Sequence, residues 1–294
     1  MDGGVAGAGI LDRTERVSVA GLDLRVLDIG PEAPGPDATT LLVIPGHTAR
    51  IDGFVHLVPP LAERHRVLLV DLPGSGESEK PDRRYDLRFY EDVPVAFLDE
   101  RGVAEAVPVG GSLGGNLVLR LGHRFPERFP RLVLWAPGSA WTARPRLAAA
   151  IRATMGRWSF WPSVRIQSRY WYSPDFPGRD QDLADTFAYY RRVMSPGFVQ
   201  MYWGLAADQV GTSLFDIAPA IAQRTLLMWG DQDHGGGMGR GVARLHQLLP
   251  DHRFHVFEGA RHSIEAEIPD GVAATILAFL AETADLGGDR PPTR

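Results

Sequence analysis

The amino-acid sequence predicts an α/β fold in which a mostly parallel, eight-stranded sheet is flanked by helices. Short apolar runs rich in valine, leucine and isoleucine alternate with longer stretches of helical character, which is typical of a sheet covered on both faces. The alternation stops after Pro137 and resumes at residue 225. We therefore expect a core formed by residues 1–137 and 225–286, with a helical cap of residues 138–224 inserted after the sixth strand.

Eight apolar runs are predicted to form the strands of the core. In chain order they are residues 17–19, 22–27, 41–44, 67–70, 106–109, 132–135, 225–228 and 254–257. The first two runs are expected to form an antiparallel edge of the sheet. Outside the cap, the predicted helices are residues 57–63, 86–101, 113–123, 238–248 and 270–282. Residues 30–37 contain three prolines and are predicted to form a loop, and residues 287–294 a disordered tail.

A Gly-x-Ser-x-Gly pattern follows the fifth run directly, and the third predicted core helix starts within it. Its sequence is Gly110-Gly111-Ser112-Leu113-Gly114. Small residues two positions before and after a serine let the strand and the helix approach closely enough to hold a strained turn. The pattern and its position predict that Ser112 projects from this turn as a nucleophile.

Candidate partners for Ser112 follow the last two strands. The run ending at Trp229 leads into Gly230-Asp231-Gln232-Asp233, and the run ending at Phe257 leads, five residues later, to His262. A serine hydroxyl is a weak nucleophile that needs an adjacent base, and an imidazole can both accept and return the proton. A carboxylate then holds the imidazole in one tautomer. The order serine, acid, histidine is the one used by strand-turn-helix architectures, and it leaves Asp231 and Asp233 as candidate acids.

These motifs make the chain resemble the α/β-hydrolase fold family over residues 17–282, in its capped serine hydrolase branch. Further matches to the family are Pro45-Gly46-His47 after the third strand, the Asp71-Leu72-Pro73-Gly74-Ser75-Gly76-Glu77-Ser78 turn after the fourth, and Glu265, Glu267 and Pro269 after the histidine. The resemblance implies a catalytic triad of Ser112, His262 and Asp233. Asp233 is the acid because the family's acid usually stands three residues after the glycine that follows the seventh strand, here Gly230. Asp231 is then interpreted as a turn residue.

The resemblance also implies an oxyanion hole made by the backbone N–H groups of Leu113 and His47. Here Pro45 replaces the family's usual histidine, and a histidine follows the glycine instead. The main-chain donor is expected to be kept, while the His47 side chain either supports the turn or orients substrate or water. The turn that starts at Asp71 is interpreted as scaffold. Residues 235–237, three glycines where relatives often have a proline, either make the loop mobile or satisfy unusual backbone angles.

Aromatic residues are concentrated in the predicted cap. It contains five of the seven tryptophans, namely Trp141, Trp158, Trp161, Trp171 and Trp203. It also contains the tyrosines Tyr170, Tyr172, Tyr189, Tyr190 and Tyr202. Ligand sites favour aromatic walls and lie at domain junctions, so we interpret the tryptophans as the roof of a substrate pocket that suits a bulky apolar or aromatic ligand. The alternative for any one ring is that it packs the cap against the core.

Composition excludes several classes of function. A net charge of −5 argues against a nucleic-acid-binding surface, and the absence of cysteine excludes disulfides and thiolate metal sites. No apolar stretch approaches the roughly 20 residues that span a bilayer, and the first ten residues lack a basic region. We expect a cytoplasmic protein that acts on a small molecule without a metal, a cofactor, a nucleic acid or a membrane, with a homodimer left open.

The sequence therefore predicts a serine hydrolase that cleaves a small ester, thioester or lactone through an acyl-enzyme. A carbon–carbon bond hydrolase of a β-diketone or ring-fission product is an alternative on the same triad. A further alternative is a non-hydrolytic lyase or cyclase, or a ligand receptor, that retains the triad. Ser112 excludes the similar epoxide hydrolases and haloalkane dehalogenases, which use an aspartate nucleophile at that position.

Overall fold

A computed structural model describes residues 9–234 and 238–285. The predicted tail 287–294 and the glycines 235–237 lie outside the described residues. The strands are β1 Glu15–Val19, β2 Leu22–Ile29, β3 Thr40–Ile44, β4 Arg66–Val70, β5 Val107–Gly111, β6 Arg131–Trp135, β7 Arg224–Gly230 and β8 His252–Phe257. They form one eight-stranded sheet in the order β1-β2-β4-β3-β5-β6-β7-β8. The predicted strands are all present, although their ends differ by a few residues.

Pairing in the sheet agrees with the predicted mixture of directions. β1 and β2 are antiparallel at the edge, with Val17 opposite Leu24, and β2 is also antiparallel to β4. All other neighbouring pairs, from β4 through β8, are parallel. Because parallel strands end at the same side of a sheet, the turns that follow β3, β5, β7 and β8 lie along one edge of the molecule.

The α-helices of the described chain are, in order, α1 Val58–Ala62, α2 Leu87–Glu100, α3 Leu113–Arg124, α4 Pro145–Thr154, α5 Arg157–Gln167, α6 Arg179–Val193, α7 Pro196–Gly211, α8 Met238–Leu248, α9 Ile264–Glu267 and α10 Pro269–Asp285. The five predicted core helices correspond to α1, α2, α3, α8 and α10. The short helix α9 was not predicted from the sequence. Asp86, predicted as the first residue of α2, is its N-cap, and its carboxylate accepts the Phe89 N–H at 2.9 Å.

Two apolar layers cover the faces of the sheet. Side chains alternate across a strand, so Leu42 and Ile44 of β3 face one layer while Leu41 and Val43 face the other. Residues of α2, α3 and the helices between β6 and β7 belong to the first layer, and residues of α1 and α10 to the second. This double burial explains why β3 reads as a continuous apolar run.

Four α-helices, α4 to α7, lie between β6 and β7, where the cap was predicted. We call residues 138–223 the inserted segment. Its centre is a cluster of aromatic rings around Phe160, which contacts Trp161, Tyr190, Phe198 and Tyr202 at centroid distances of 4.8 to 5.5 Å. The division of the chain into separate core and cap domains stays a prediction.

Candidate active site

Ser112 lies in a strained turn between β5 and α3. Its backbone has φ 56° and ψ −118°, in a region that L-residues avoid and that costs about 1–3 kcal/mol. Its N–H donates to the Trp135 carbonyl at 3.1 Å, and its own carbonyl accepts the N–H groups of Gly138 at 2.8 Å and Asn116 at 3.0 Å. These hydrogen bonds tie the turn to the end of β6 and to α3, and hold it in its strained conformation.

The glycines on either side of Ser112 allow this turn to form. A Cβ atom at Gly114 would overlap the carbonyl oxygen of Ile44 at the end of β3. A Cβ atom at Gly110 would lie 2.7 Å from the Gly114 carbonyl carbon and 2.9 Å from the Ile44 oxygen. The close approach of strand and helix expected from the Gly-x-Ser-x-Gly pattern is therefore present, and it leaves no room for a larger residue at either position.

His262 and Asp233 form a hydrogen-bonded pair. Their Nδ1 and Oδ2 atoms are 2.9 Å apart, and Asp233 is only 1% exposed. Asp231, in contrast, is exposed, and its Oδ1 accepts the Gly259 N–H at 2.8 Å. The structure thus places Asp233 against the imidazole and gives Asp231 a turn contact. With Nδ1 directed to the carboxylate, Nε2 is the nitrogen left to act as a base.

Among the described residues, the Ser112 hydroxyl makes no hydrogen bond to His262 in this structure. In free enzymes such bonds are often long, and they shorten when substrate binds. The elements that carry Ser112, His262 and Asp233 are nevertheless adjacent, because β5, β6, β7 and β8 are neighbours in the sheet. The catalytic roles of the three residues stay predictions.

Neighbouring groups set the proton affinity of His262. Burial lowers its pKa, but the hydrogen bond to Asp233 and the negative charges of Asp233, Glu265 and Glu267 outweigh burial, so the pKa is raised above its ordinary value of 6.5. Glu265 accepts the Trp135 indole N–H at 2.8 Å, and burial raises the pKa of this carboxyl. The result is an imidazole that holds a proton more readily than a free one.

The turn after β3 lies beside the nucleophile. A Cβ atom at Gly46 would be 3.4 Å from the Ser112 Cβ, which places His47 next to the elbow. Leu113 is the first residue of α3 and is buried. Both predicted oxyanion donors are therefore carried by segments that flank Ser112. Their donation to a developing oxyanion stays a prediction.

The His47 side chain is largely enclosed. Burial lowers its pKa to about 4, although a hydrogen bond to the Tyr202 backbone opposes the shift, so the ring is neutral at pH 7. The ring is stacked on Tyr202 of α7, with centroids 4.8 Å apart and planes inclined by 18°. Within the described chain, its Nε2 is buried without a hydrogen-bond partner. These observations fit the support role in the turn, and a role of the His47 side chain in orienting substrate or water stays a prediction.

The turn after β4 was interpreted as scaffold, and its contacts are of that kind. The buried carboxylate of Asp71 accepts the N–H groups of Ile51 at 2.7 Å and Glu77 at 2.8 Å. Gly76 has φ +53°, and a Cβ atom there would overlap the Asp71 carboxylate. The turn therefore links the segment after His47 to the end of β4.

The five tryptophans of the inserted segment have different surroundings. Trp158 is 72% exposed. Two others direct their indole N–H groups to backbone carbonyls, Trp141 to Gln209 at 3.0 Å and Trp203 to Gly156 at 2.9 Å. Trp161 packs edge-on against Phe160. Three of these rings thus make hydrogen bonds or ring contacts within the segment, and Trp158 faces solvent. A part in a substrate pocket stays a prediction for all five tryptophans.

Residues near Trp171 connect the inserted segment to the turn that carries His262. The Ser263 N–H donates to the Trp171 carbonyl at 3.0 Å, and the Ser173 N–H donates to Glu267 at 3.0 Å. The Arg261 guanidinium donates to the Arg169 carbonyl at 2.8 Å. Sequence reasoning did not find this connection, because backbone carbonyls and amides carry no sequence signal.

Sequence reasoning also missed Thr48 as a residue of interest. It has φ 65°, and its Oγ1 lies 2.7 Å from the Tyr190 hydroxyl of α6. Its position beside His47 was the only available signal.

No group of three or more histidine, aspartate or glutamate side chains within the described ranges could hold a metal ion. No described helix is both long and apolar enough to cross a membrane.

Comparisons with known proteins agree with the fold. Residues 39–265 match the model of the alpha/beta hydrolase fold family. The chain is 29% identical over 231 residues to the 2-hydroxymuconate semialdehyde hydrolase of Pseudomonas putida, covering 75% of this chain and 79% of the relative. It is 25% identical over 255 residues to the 2-hydroxy-6-oxo-6-phenylhexa-2,4-dienoate hydrolase of Burkholderia cepacia, covering 81% and 84%.

Solved structures show the same architecture. The enol-lactonase from Burkholderia xenovorans LB400 superposes with a TM-score of 0.74 at 22% identity, covering 91% of this chain and 100% of that one. At this identity the likeness shows the fold alone. The family model, in contrast, spans most of the chain, including Ser112, Asp233 and His262. The chain therefore belongs to the alpha/beta hydrolase fold family and is an enzyme of that fold.

Proposed function

We propose that this enzyme hydrolyses a carbon–carbon bond in a small keto or aldehydo dienoate, using Ser112, His262 and Asp233. The observation that carries the proposal is the similarity, over three quarters of the chain or more, to hydrolases named for 2-hydroxymuconate semialdehyde and 2-hydroxy-6-oxo-6-phenylhexa-2,4-dienoate. These names describe a carboxylate, an enol and an aldehyde or ketone, without an ester. Hydrolysis of such a compound has to break a carbon–carbon bond.

Carbon–carbon cleavage now ranks before cleavage of an ester, thioester or lactone, which reverses the order expected from the sequence. An ester, thioester or lactone was the first expectation, and carbon–carbon cleavage was the alternative. The relatives support the alternative better, because their named substrates lack an acyl–oxygen or acyl–sulfur bond. The coarser statement, that the chain is a hydrolase-fold enzyme acting on a small molecule, is common to both.

The first step we propose is addition of Ser112 to the carbonyl carbon. Nε2 of His262 takes the hydroxyl proton as the Oγ–C bond forms, and Asp233 stabilises the imidazolium through Nδ1. The carbonyl oxygen becomes an oxyanion that accepts the N–H groups of Leu113 and His47. Loss of one such donor typically costs about 2.7–4 kcal/mol of barrier. The strained, hydrogen-bonded elbow supports this proposal, because it holds Ser112 beside the turn that carries His47.

The second step distinguishes carbon–carbon cleavage from ester cleavage. The leaving group is a carbon, so its departure needs an electron sink and a proton. When the substrate's enol is in its keto form, the departing carbon leaves as a conjugated enolate, and the imidazolium of His262 returns its proton there. The raised pKa of His262 suits a group that must hold this proton until the bond breaks. Water activated by His262 then hydrolyses the acyl-Ser112 and releases the acid.

The test compares two substrates on one enzyme preparation. Purified protein is mixed with 2-hydroxy-6-oxo-6-phenylhexa-2,4-dienoate, and separately with p-nitrophenyl butyrate. Loss of dienolate absorbance and formation of benzoate report carbon–carbon cleavage, and nitrophenol release reports ester cleavage. We expect a higher kcat/KM for the dienoate, with both activities absent in Ser112→Ala.

Other outcomes assign the enzyme differently. Turnover of the ester but not of the dienoate returns the first choice to an ester, thioester or lactone. Tight binding of the dienoate without turnover of either compound indicates a non-hydrolytic lyase, a cyclase or a receptor.

A further inference from the structure

A tyrosine of the inserted segment contacts the turn that carries the proposed oxyanion donor. The Tyr190 hydroxyl on α6 lies 2.7 Å from Oγ1 of Thr48, the residue after His47. Both side chains are buried, at 2% and 7% exposure. The turn itself lies beside Ser112, as the position of Gly46 shows. The Tyr190 hydroxyl thus connects α6 to the edge of the site.

Thr48 has an unusual backbone conformation for its residue type. Its φ of 65° is in the left-handed region, where a β-branched side chain is a genuine outlier. Such conformations persist only when the surroundings hold them, and they cluster at functional sites. Something must therefore hold Thr48, and the Tyr190 hydroxyl is in contact with its side chain.

The direction of the hydrogen bonds follows from the proton count. Thr48 Oγ1 donates its only proton to the His47 carbonyl at 2.5 Å. The proton in the 2.7 Å contact must then come from Tyr190. Burial raises the pKa of Tyr190, so its hydroxyl stays protonated and able to donate. The result is a directed chain from Tyr190 to Thr48 to the His47 carbonyl.

The core supports the same turn from its other side. Ser75 Oγ, in the turn after β4, donates to the Ala49 carbonyl at 2.9 Å, and the Ala49 N–H donates to the Gly46 carbonyl at 3.1 Å. Residues 46–49 are therefore held between the core and the inserted segment. The Ala49 N–H holds the Gly46–His47 peptide, which carries the His47 N–H, and the hydroxyl chain holds the following peptide through the His47 carbonyl.

We infer that Tyr190 and Thr48 are positioning residues that orient the His47 backbone so that its N–H donates to the oxyanion. The inference rests on the proposed catalytic role of Ser112 and of the His47 N–H. Neither hydroxyl touches the reacting atoms. The inserted segment then supports the oxyanion hole through the hydrogen bond from Tyr190 to Thr48.

The test uses a reaction that does not depend on the natural substrate. A fluorophosphonate probe phosphonylates an activated serine, and its phosphoryl oxygen occupies the oxyanion hole. Its second-order rate of labelling of Ser112 is measured for wild type, Tyr190→Phe, Thr48→Val and the double variant. Tyr85→Phe is the matched control, because it removes a tyrosine hydroxyl that donates to the Pro81 carbonyl at 2.9 Å, away from the turn.

We expect Tyr190→Phe and Thr48→Val each to slow labelling by about 10- to 100-fold. This decrease in rate is no larger than the decrease caused by removing an oxyanion donor completely. The double variant is expected to be no slower than either single variant, since both changes break one chain. With a turned-over substrate, kcat falls and KM is unchanged. Tyr85→Phe labels at the wild-type rate, and the thermal stabilities of Tyr190→Phe and Tyr85→Phe fall by similar amounts.

The inference is overturned if Tyr190→Phe is labelled at the wild-type rate, or if the two single substitutions change KM but not kcat. It is also overturned if the effects of Tyr190→Phe and Thr48→Val multiply in the double variant. Failure of the proposed function gives a different pattern. If the dienoate is not cleaved but the probe labels wild type quickly and Tyr190→Phe slowly, the positioning role holds and the substrate assignment fails. If the probe does not label Ser112 in wild type, both fail.

Discussion

The sheet and the inserted segment contribute to the candidate site by different means. The sheet brings Ser112, Asp233 and His262 to one edge of the molecule, because each residue follows the end of a parallel strand. The inserted segment acts on the same turns through a tyrosine hydroxyl, a stacked ring and backbone hydrogen bonds. Regular structure thus brings the candidate catalytic groups together, while contacts between distant parts of the chain reach the turns that carry them.

The largest expected effect comes from a substitution at the end of β5, in the part of the site that the sheet provides. Ser112→Ala removes the nucleophile and should lower kcat by about 10⁶-fold, as in other enzymes of this kind, with the fold retained. Turnover of the dienoate and the ester is measured beside a thermal unfolding curve. Residual turnover near the wild-type rate in a folded variant contradicts the assignment of Ser112.

The second prediction separates the two aspartates after β7. Asp233→Asn should lower kcat by about 10⁴-fold, because it removes the carboxylate that holds the His262 tautomer. Asp231→Asn alters only an exposed turn contact to Gly259 and should leave kcat unchanged. A greater loss in Asp231→Asn than in Asp233→Asn means that the acid is misassigned.

These two predictions use residues that could be identified from the sequence, and the reason is physical. Strand ends are marked by apolar runs, and Gly110 and Gly114 are required by steric contact with neighbouring backbone, so both leave a local signal. Thr48 and Tyr190 are separated by 142 positions, and nothing in either neighbourhood marks their contact. The different exposures of the tryptophans were also invisible, since aromatic content does not say which ring faces solvent.

The third prediction concerns the packing of β3 against α3. Gly114→Ala should lower the free energy of unfolding by about 1–3 kcal/mol, because the added methyl overlaps the Ile44 carbonyl. Urea denaturation measures the change. Gly35→Ala is the control, because a Cβ atom at Gly35 meets nothing within 4 Å. Equal stabilities of the two variants would contradict the close approach at the elbow.

The fourth prediction is a pH dependence. The base must be neutral, and the pKa of His262 is raised above 6.5, so kcat/KM should fall about tenfold per pH unit below an apparent pKa above 6.5. Asp233→Asn removes a negative charge that raises the pKa of His262 but keeps the burial that lowers it. The residual activity of that variant should therefore persist to lower pH. An acid limb that stays in place, or moves to higher pH, contradicts this account of His262.

The smallest expected effect comes from the tryptophans of the inserted segment and tests which of them contacts the substrate. The Trp171 carbonyl accepts the Ser263 N–H in the turn that carries His262, whereas Trp158 is 72% exposed. Trp171→Ala should raise KM by about fivefold, since one aromatic contact contributes about 1 kcal/mol. Trp158→Ala should leave KM unchanged. The reverse order would place the substrate against the outer side of α5.

The hydrogen bonds between residues 169–173 and 261–267 have a consequence for exchanging parts between related enzymes. The Ser263 N–H needs the Trp171 carbonyl, and Glu267 receives both the Ser173 N–H and the Arg261 N–H. A chimera that replaced only the residues between β6 and β7 would keep the Arg261–Glu267 bond but would put a different backbone opposite the Ser263 N–H and the Glu267 carboxylate, next to His262. To keep these contacts, a chimera has to take the inserted segment and the turn that carries His262 from the same parent enzyme.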